Sequence, residues 1–245
     1  MLTSDNKENP CDLPAHSIPT ISEDKLKRML VDINRIRSSA AEYGGGVVFK
    51  FAQSKGAFYK QIAMHSATQY GVCKALCDHW MACHANGLSL FDGLYMDGQK
   101  GQFNIDMLVS IKQLHIDALT AAVVAMDFSQ LLCVSNEWLT RHGLKLRRVP
   151  PETKDARDDV GRVFMDCITG RGRYQSIVMA GGGGLKHVVA TYTAKNGEIR
   201  FFDPNYGDFI FLTHGTFKRW FEEQFWPRSH YQYNEITAIT CKRRH

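Results

Sequence analysis

Hydrophobic and polar positions change period along this chain, and the change divides it into two parts. After Ser22, a helix-capping residue type, Leu26, Met29, Leu30, Ile33 and Ile36 recur along one helical face, and the pattern stops before Tyr43-Gly44-Gly45-Gly46. Val47 to Phe51 reads as a short strand, and a loop with Ser54, Lys55 and Gly56 follows. Residues 71 to 87, GVCKALCDHWMACHANG, put Cys73, Leu76, Cys77 and Trp80 at i, i+3, i+4 and i+7. No proline interrupts the run, which predicts a helix with one buried face, a cysteine in its first turn and an end at Asn86-Gly87. A loop with Asp92-Gly93 and Asp97-Gly98 leads to helical patterns over about 104–115 and 119–142, the second stopped by Gly143. Thr120 to Met126 is apolar on all sides, the mark of a covered helix. A charged helix is expected over about 153–168.

Beyond that point the period shortens to two. Tyr174–Ala180, His187–Thr193, Glu198–Asp203, Asp208–Leu212 and Tyr231–Thr240 all read as strands, interrupted by one helix over about 216–226. Helices followed by an antiparallel β-sheet make an α+β architecture, a helical half packed against the sheet with a cleft between them. Residues 1–20 are rich in Ser, Thr, Asn, Asp and Pro and show no periodicity, so residues 1–45 are expected to be a flexible leader plus one helix. Residues 46–245 are then a single folded domain.

Composition narrows the function classes. With 44% apolar and 22% charged residues over 245 positions, the chain is an ordinary globular protein. Thirty Lys and Arg against twenty-five Asp and Glu leave a net charge of +5 without long basic blocks, which argues against nucleic acid as a partner. Short clusters such as Arg171-Gly172-Arg173 are read as solvated surface. Seven cysteines at irregular spacing argue for reduced thiols rather than a disulfide framework. No apolar run approaches the roughly 20 residues of an integral membrane segment, and no conventional signal peptide is recognisable at the N-terminus.

The chemistry centres on Cys73. A thiol at a helix N-terminus faces unpaired N–H groups and the positive end of the macrodipole, which favour the thiolate. Position alone leaves open a small buried hydrophobe. The segment HVVATYTAKNGEIRFFDPNYGDFIF carries a second clue, because Lys195-Asn196-Gly197 is a hairpin signal between two strand patterns. A two-residue loop would pair position 187 with 206 and put His187 and Asp203 on opposite faces. A three-residue loop with Gly197 left-handed pairs 187 with 205 and 203 with 189, making His187 and Asp203 diagonal neighbours on one face. We take the three-residue loop. A histidine oriented by a carboxylate and facing a helix-terminal cysteine is what nucleophilic cysteine catalysis requires.

These blocks resemble the YopT-like cysteine proteases, bacterial effectors of papain-like fold. The shared features are a G-x-C-x-A-L-x-x-x-W helix, a downstream histidine and an F-D-P-N-aromatic-G motif, in that order over most of residues 71 to 212. The resemblance implies Cys73 as nucleophile, His187 as general base and acid, and Asp203 as the orienting carboxylate. It also implies a secreted effector that acts in a host cytosol on a host protein, with a small GTPase or a kinase as possible substrates. Self-cleavage near the N-terminus is a further expectation, and a monomer is expected. Papain-like enzymes supply an oxyanion-hole amide from shortly upstream of the cysteine. Ala67 stands where papain has Gln, so Gln69 is the upstream amide that fits, with Thr68 or Ser66 as alternatives. A glutamine deamidase or acyl transferase would use the same site, and an inactive binding module would keep the fold.

Cys73, Cys77, Cys83, His79 and His84 could be read as a zinc set, but the second cysteine knuckle is missing. Neither a metal nor another cofactor is therefore expected. Cys77, Cys83 and Cys167 are read as core, and His79 and His84 as helix surface. Gly181 to Gly184 lack the features of a phosphate loop and read as a loop beside the cleft.

Overall fold

A computed structural model describes residues 23–69, 71–96, 101–127, 129–147, 151–168, 170–181 and 186–244. The leader predicted over residues 1–20, the Asp97-Gly98 turn, and Gly182, Gly183 and Gly184 lie outside these residues. The first half runs α1 (Glu23–Glu42), β1 (Gly45–Phe49), α2 (Gly56–Ala63), α3 (Cys73–Ala85), α4 (Leu90–Leu94), α5 (Ile105–Ala125) and α6 (Gln130–Arg141). The second runs β2 (Leu144–Leu146), β3 (Thr153–Asp155), α7 (Val160–Cys167), β4 (Arg173–Ala180), β5 (Lys186–Thr193), β6 (Ile199–Asp203) and β7 (Gly207–Phe211). It closes with α8 (His214–Trp220), a π-helical turn (Phe221–Phe225), α9 (Trp226–Arg228) and β8 (Glu235–Arg243).

Among the described residues the strands form one antiparallel sheet in the order β1-β7-β6-β5-β4-β8-β2, with β3 also on β8. Both faces are covered, so β4 and β5 are buried along most of their length instead of alternating. Side chains nevertheless alternate between two cores, since successive residues of a strand point to opposite faces. Phe202 joins Phe51, Leu76, Trp80, Phe91 and Val188 on the face covered by α2 to α5. Phe201 joins Ile36, Phe164, Phe217, Trp220 and Phe225 on the other, under α1, α7 and α8. The helical half is thus one of two layers on the sheet. α1 belongs to the second layer: Trp220 Nε1 donates to Ser39 Oγ at 3.1 Å, and Arg37 donates to the carbonyls of Tyr206 and Phe51.

Several elements differ from the sequence expectation. α2 and α4 are too short to show a clear period, and each falls in a predicted loop. α5 runs through the break expected at 115–119, because Asp117 and its neighbours contain no Gly or Pro to stop a helix. It ends at Met126, which adopts φ 49°, and Asp127 then accepts the Ser129 N–H at 2.9 Å. The last turn of α5 was expected to be covered, yet Val123 and Val124 are 72% and 79% exposed and only Ala122 reaches the core. By length and composition α5 could cross a membrane. Leu108, Ile111 and Leu114 instead pack in the core that also holds α3. The helix expected from 153 begins at Val160, where Asp159 accepts the Arg162 N–H, and residues 153–155 pair with β8 as β3.

Candidate active site

The chain reaches α3 through a tied-down turn. Thr68 Oγ1 donates to the Ile62 carbonyl, Gly71 N–H donates to the Thr68 carbonyl, and Leu76 N–H donates to the Val72 carbonyl, starting the helix at Cys73. α3 is buried on nearly every side rather than on one face. Of the two histidines expected at the surface, His79 is therefore buried and His84 half-buried. His79 bonds the Ala75 carbonyl and Ser110 Oγ, and His84 stacks on Trp80 and bonds Tyr174 at 2.8 Å. Asp78, fully buried, pairs with Lys74 and accepts from Ser135 on α6. Trp80 explains its place in the motif: its indole N–H donates to Asp208 at 3.0 Å, which Arg200 pairs at 2.7 Å. That network joins α3 to β6 and β7, and so helps place the Cys73 end against the sheet.

The hairpin has the three-residue loop. β5 and β6 pair Ala190 with Phe202 and Thr193 with Ile199. Ala194 N–H bonds the Glu198 carbonyl, leaving Lys195, Asn196 and Gly197 in the loop, with Gly197 at φ +95°. His187 and Asp203 therefore share a face, and His187 Nε2 lies 3.0 Å from Asp203 Oδ1 with both side chains almost fully buried. The motif after Asp203 is held from several directions. Pro204 accepts the Gln53 N–H, Asn205 N–H donates to Asp203 Oδ1 at 2.7 Å, and Tyr206 Oη donates to the Ser229 carbonyl. Gly207, at φ +122°, leaves only 2.6 Å between a would-be Cβ and the Phe49 carbonyl, so β1 can close on this turn only with glycine there.

His187 Nε2 is committed to Asp203, and the same imidazole interacts with the Cys73 thiol through a side-chain hydrogen bond and charge. Burial by itself would lower the His187 pKa. The charge and hydrogen bond of Asp203, and after them Cys73, overcome it and raise the imidazole to about 10. For Cys73 burial pushes upward, and His187 together with the Val188 and Lys74 backbone groups brings the thiol below its ordinary value. The two opposite charges support each other, the condition for a thiolate–imidazolium pair. Cys77, one turn on, is driven the other way: burial and then the Cys73 charge hold its thiol protonated, donating to the Val188 carbonyl at 3.3 Å.

Gln69 sits half-buried in the turn before α3, its N–H bonded to the His65 carbonyl. A different glutamine meets the base of α3. Gln53 is 5% exposed, and its Oε1 accepts the Val72 N–H at 3.0 Å beside Gly71. Nineteen residues of intervening chain separate it from the cysteine, too many for an amide read as lying just upstream. Tyr231 also went unnoticed as a site neighbour. It precedes β8 rather than opening it, and its hydroxyl contacts both Asp203 oxygens. On the other side of Cys73 lies a cavity of about 460 Å³ lined by Leu114, Ala118, Leu132, Val178 and Val188, with Lys74 among its walls. Among the described residues no group of three or more His, Cys, Asp and Glu is arranged to hold a metal ion.

The family model described as Peptidase_C58, Yersinia/Haemophilus virulence surface antigen, matches residues 37–240. The chain belongs to this family. Cysteine protease YopT of Yersinia enterocolitica is 42% identical over 205 residues, covering 81% of this chain and 63% of that protein. The chain thus spans less than two thirds of the length of this relative. Protein adenylyltransferase and cysteine protease IbpA of Histophilus somni is 35% identical over 219 residues, or 81% of this chain and 5% of that protein. The crystal structure of the Pseudomonas avirulence protein AvrPphB superimposes with a TM-score of 0.53 at 17% identity, covering 73% of this chain and 95% of the other. At that identity the likeness speaks for the fold, which is the α+β fold of papain-like cysteine proteases.

Proposed function

We propose that this chain is a cysteine endopeptidase in which Cys73 is the nucleophile, His187 the general base and acid, and Asp203 the group that orients the imidazole. The carrying observation is the 3.0 Å contact of His187 Nε2 with Asp203, together with the His187 bond to a thiol in the first turn of α3. The Cys73 thiolate attacks the scissile carbonyl carbon, and a C–S bond forms as the carbonyl oxygen becomes an oxyanion. The Cys73 N–H, at the helix terminus, and Gln53 Nε2 supply its hydrogen bonds. Gln53 takes this role in place of Gln69 because its Oε1 is occupied by Val72 N–H beside the cysteine, leaving Nε2 as the free donor end. Collapse expels the amine, which takes the His187 proton. Water, deprotonated by His187, then cleaves the thioester and restores the thiol.

The substrate is a host protein, such as a small GTPase or kinase-like signalling protein, that places a bulky apolar side chain in the cavity beside Cys73. The enzyme acts as a monomer in a host cytosol after secretion. The six described cysteines are free thiols, which suits that reducing compartment. Self-processing takes place in the segment ahead of α1, because Ile33, Ile36 and Ala40 of α1 are core residues that a later cut would remove.

New protein N-termini in host-cell lysate, compared between the wild type and Cys73→Ala, test the reading. Termini that appear only with the wild type support it, and identical profiles overturn it. The intact mass of the purified proteins tests self-processing: a wild type as heavy as Cys73→Ala, allowing for the substitution, rules it out.

A further inference from the structure

We infer that Tyr231 is a positioning residue of this site, whose phenol holds the Asp203 carboxylate and limits how tightly that carboxylate retains the His187 proton. The inference rests on the catalytic reading of Cys73, His187 and Asp203 given above. Tyr231 lies between α9 and β8, and its Oη is 3.0 Å from Asp203 Oδ2 and 3.2 Å from Oδ1. The direction of the bond is set by its neighbours. An ionised carboxylate only accepts, and Asn205 Nδ2 donates to the same Oη at 3.1 Å, so the phenol hydrogen is directed at Asp203. Burial, then the charge of Asp203, holds the Tyr231 phenol protonated well beyond its usual range, so it remains a donor wherever His187 titrates. The ring fixes the geometry, with its centroid 5.0 Å from that of His187 and its other contacts to Tyr206, Phe225, Trp226 and Tyr233.

Three donors thus converge on Asp203: His187 Nε2, the Asn205 N–H and the Tyr231 hydroxyl. Each added donor stabilises the carboxylate charge and weakens its pull on the others. His187 has to be charged beside the Cys73 thiolate and still surrender its proton to a leaving amine, so a carboxylate without the phenol would hold that proton too well. The other titratable groups around this pair are Cys73 and Cys77 on α3, Tyr206 after β6 and Tyr233 before β8. Lys186 and Lys74 adjoin His187 and Cys73 in the chain. None of these supplies a hydroxyl to Asp203 among the described residues.

The test needs no substrate. The full chain is prepared with ¹³C-labelled histidine as wild type, Tyr231→Phe and Tyr206→Phe, and the His187 ring is titrated by NMR while iodoacetamide alkylation of Cys73 is followed by mass spectrometry. Tyr231→Phe keeps the ring and removes the donor, and is expected to move the His187 midpoint upward by about half a pH unit or more. Tyr206→Phe removes another buried phenol bond, to the Ser229 carbonyl, and is expected to leave the midpoint in place. Global replacement of tyrosine by 3-fluorotyrosine, a stronger donor, should shift it downward and serves if Tyr231→Phe does not fold. A midpoint that stays or falls in Tyr231→Phe, or that rises equally in Tyr206→Phe, overturns the inference while leaving the catalytic reading standing. Wild-type Cys73 reacting no faster than a model thiol overturns both.

Discussion

Replacing Arg200 with Met removes the cation from the network that ties the Cys73 helix to the sheet. Arg200 donates to Asp208 at 2.7 Å, and the side chains are 18% and 3% exposed. The Trp80 indole then remains as the side-chain donor to a buried carboxylate. Removing one partner of a buried ion pair costs about 3–5 kcal/mol, and the partial exposure of Arg200 reduces this to about 2–4 kcal/mol at pH 7. The sign of the pH dependence follows from Asp208. Burial raises its pKa above the ordinary 3.8, with Arg200 and Trp80 pulling the other way. A carboxyl whose folded pKa is raised loses stability as pH climbs from its unfolded to its folded value. Without Arg200 that folded value rises further, so the loss extends to higher pH. Acidification lets Asp208 take a proton and keep the Trp80 bond as a neutral group, so the cost at pH 5 should fall to about 1 kcal/mol. His84, held near 4 first by burial and then by Arg200, becomes more basic when the Arg200 charge is removed, which works in the same direction. Guanidinium unfolding of Arg200→Met and its parent, both in a Cys73→Ala background, measures the difference at pH 7 and pH 5. Adding Asp208→Asn should recover most of the pH 7 loss. Equal costs at the two pH values, or a cost below about 1 kcal/mol at pH 7, would refute the reasoning.

Iodoacetamide at pH 6 should alkylate Cys73 well ahead of Cys77, whose thiol burial holds protonated, with peptide mapping as the readout. Asp203→Asn keeps the geometry, since the amide can accept from His187 and donate to Tyr231, but loses the charge. Forfeiting a charged hydrogen bond of about 1.5–3 kcal/mol should slow that alkylation by about 10- to 150-fold. Gln53→Ala should lower the rate of wild-type-dependent cleavage by about 10²–10³, as loss of an oxyanion donor does. Gln69→Ala should leave the rate within a few-fold, and the reverse ranking would return the role to Gln69. Val123→Ser with Val124→Ser should change stability by less than about 0.5 kcal/mol by thermal unfolding, because both side chains are already in water.

Local signals carried most of the scaffold. The period of 3.6 around Cys73, the period of two after residue 173, and a glycine that accepts a positive φ at position 197 act over a few residues each. They placed α3, the strands β4 to β8 and the hairpin register that brings His187 beside Asp203. The short helices α2 and α4 escaped because one or two turns do not establish a period. The end of α5 was misjudged because an apolar stretch signals burial only if something lies against it, and at Val123 and Val124 nothing does among the described residues.

What composition and spacing left undetermined is what depends on chain segments far apart. The meeting of Cys73 with His187 spans 114 positions, and the contacts of Gln53 with Val72 and of Tyr231 with Asp203 join separate elements. No periodicity encodes such pairings. They exist because aromatic cores form on both faces of the sheet, from Trp80, Phe91 and Phe202 on one and Phe201, Trp220 and Phe225 on the other, and leave one arrangement of the elements that buries them together. Folding therefore sets the distances on which the chemistry of the site depends, while the sequence pattern had already supplied its thiol, imidazole and carboxylate.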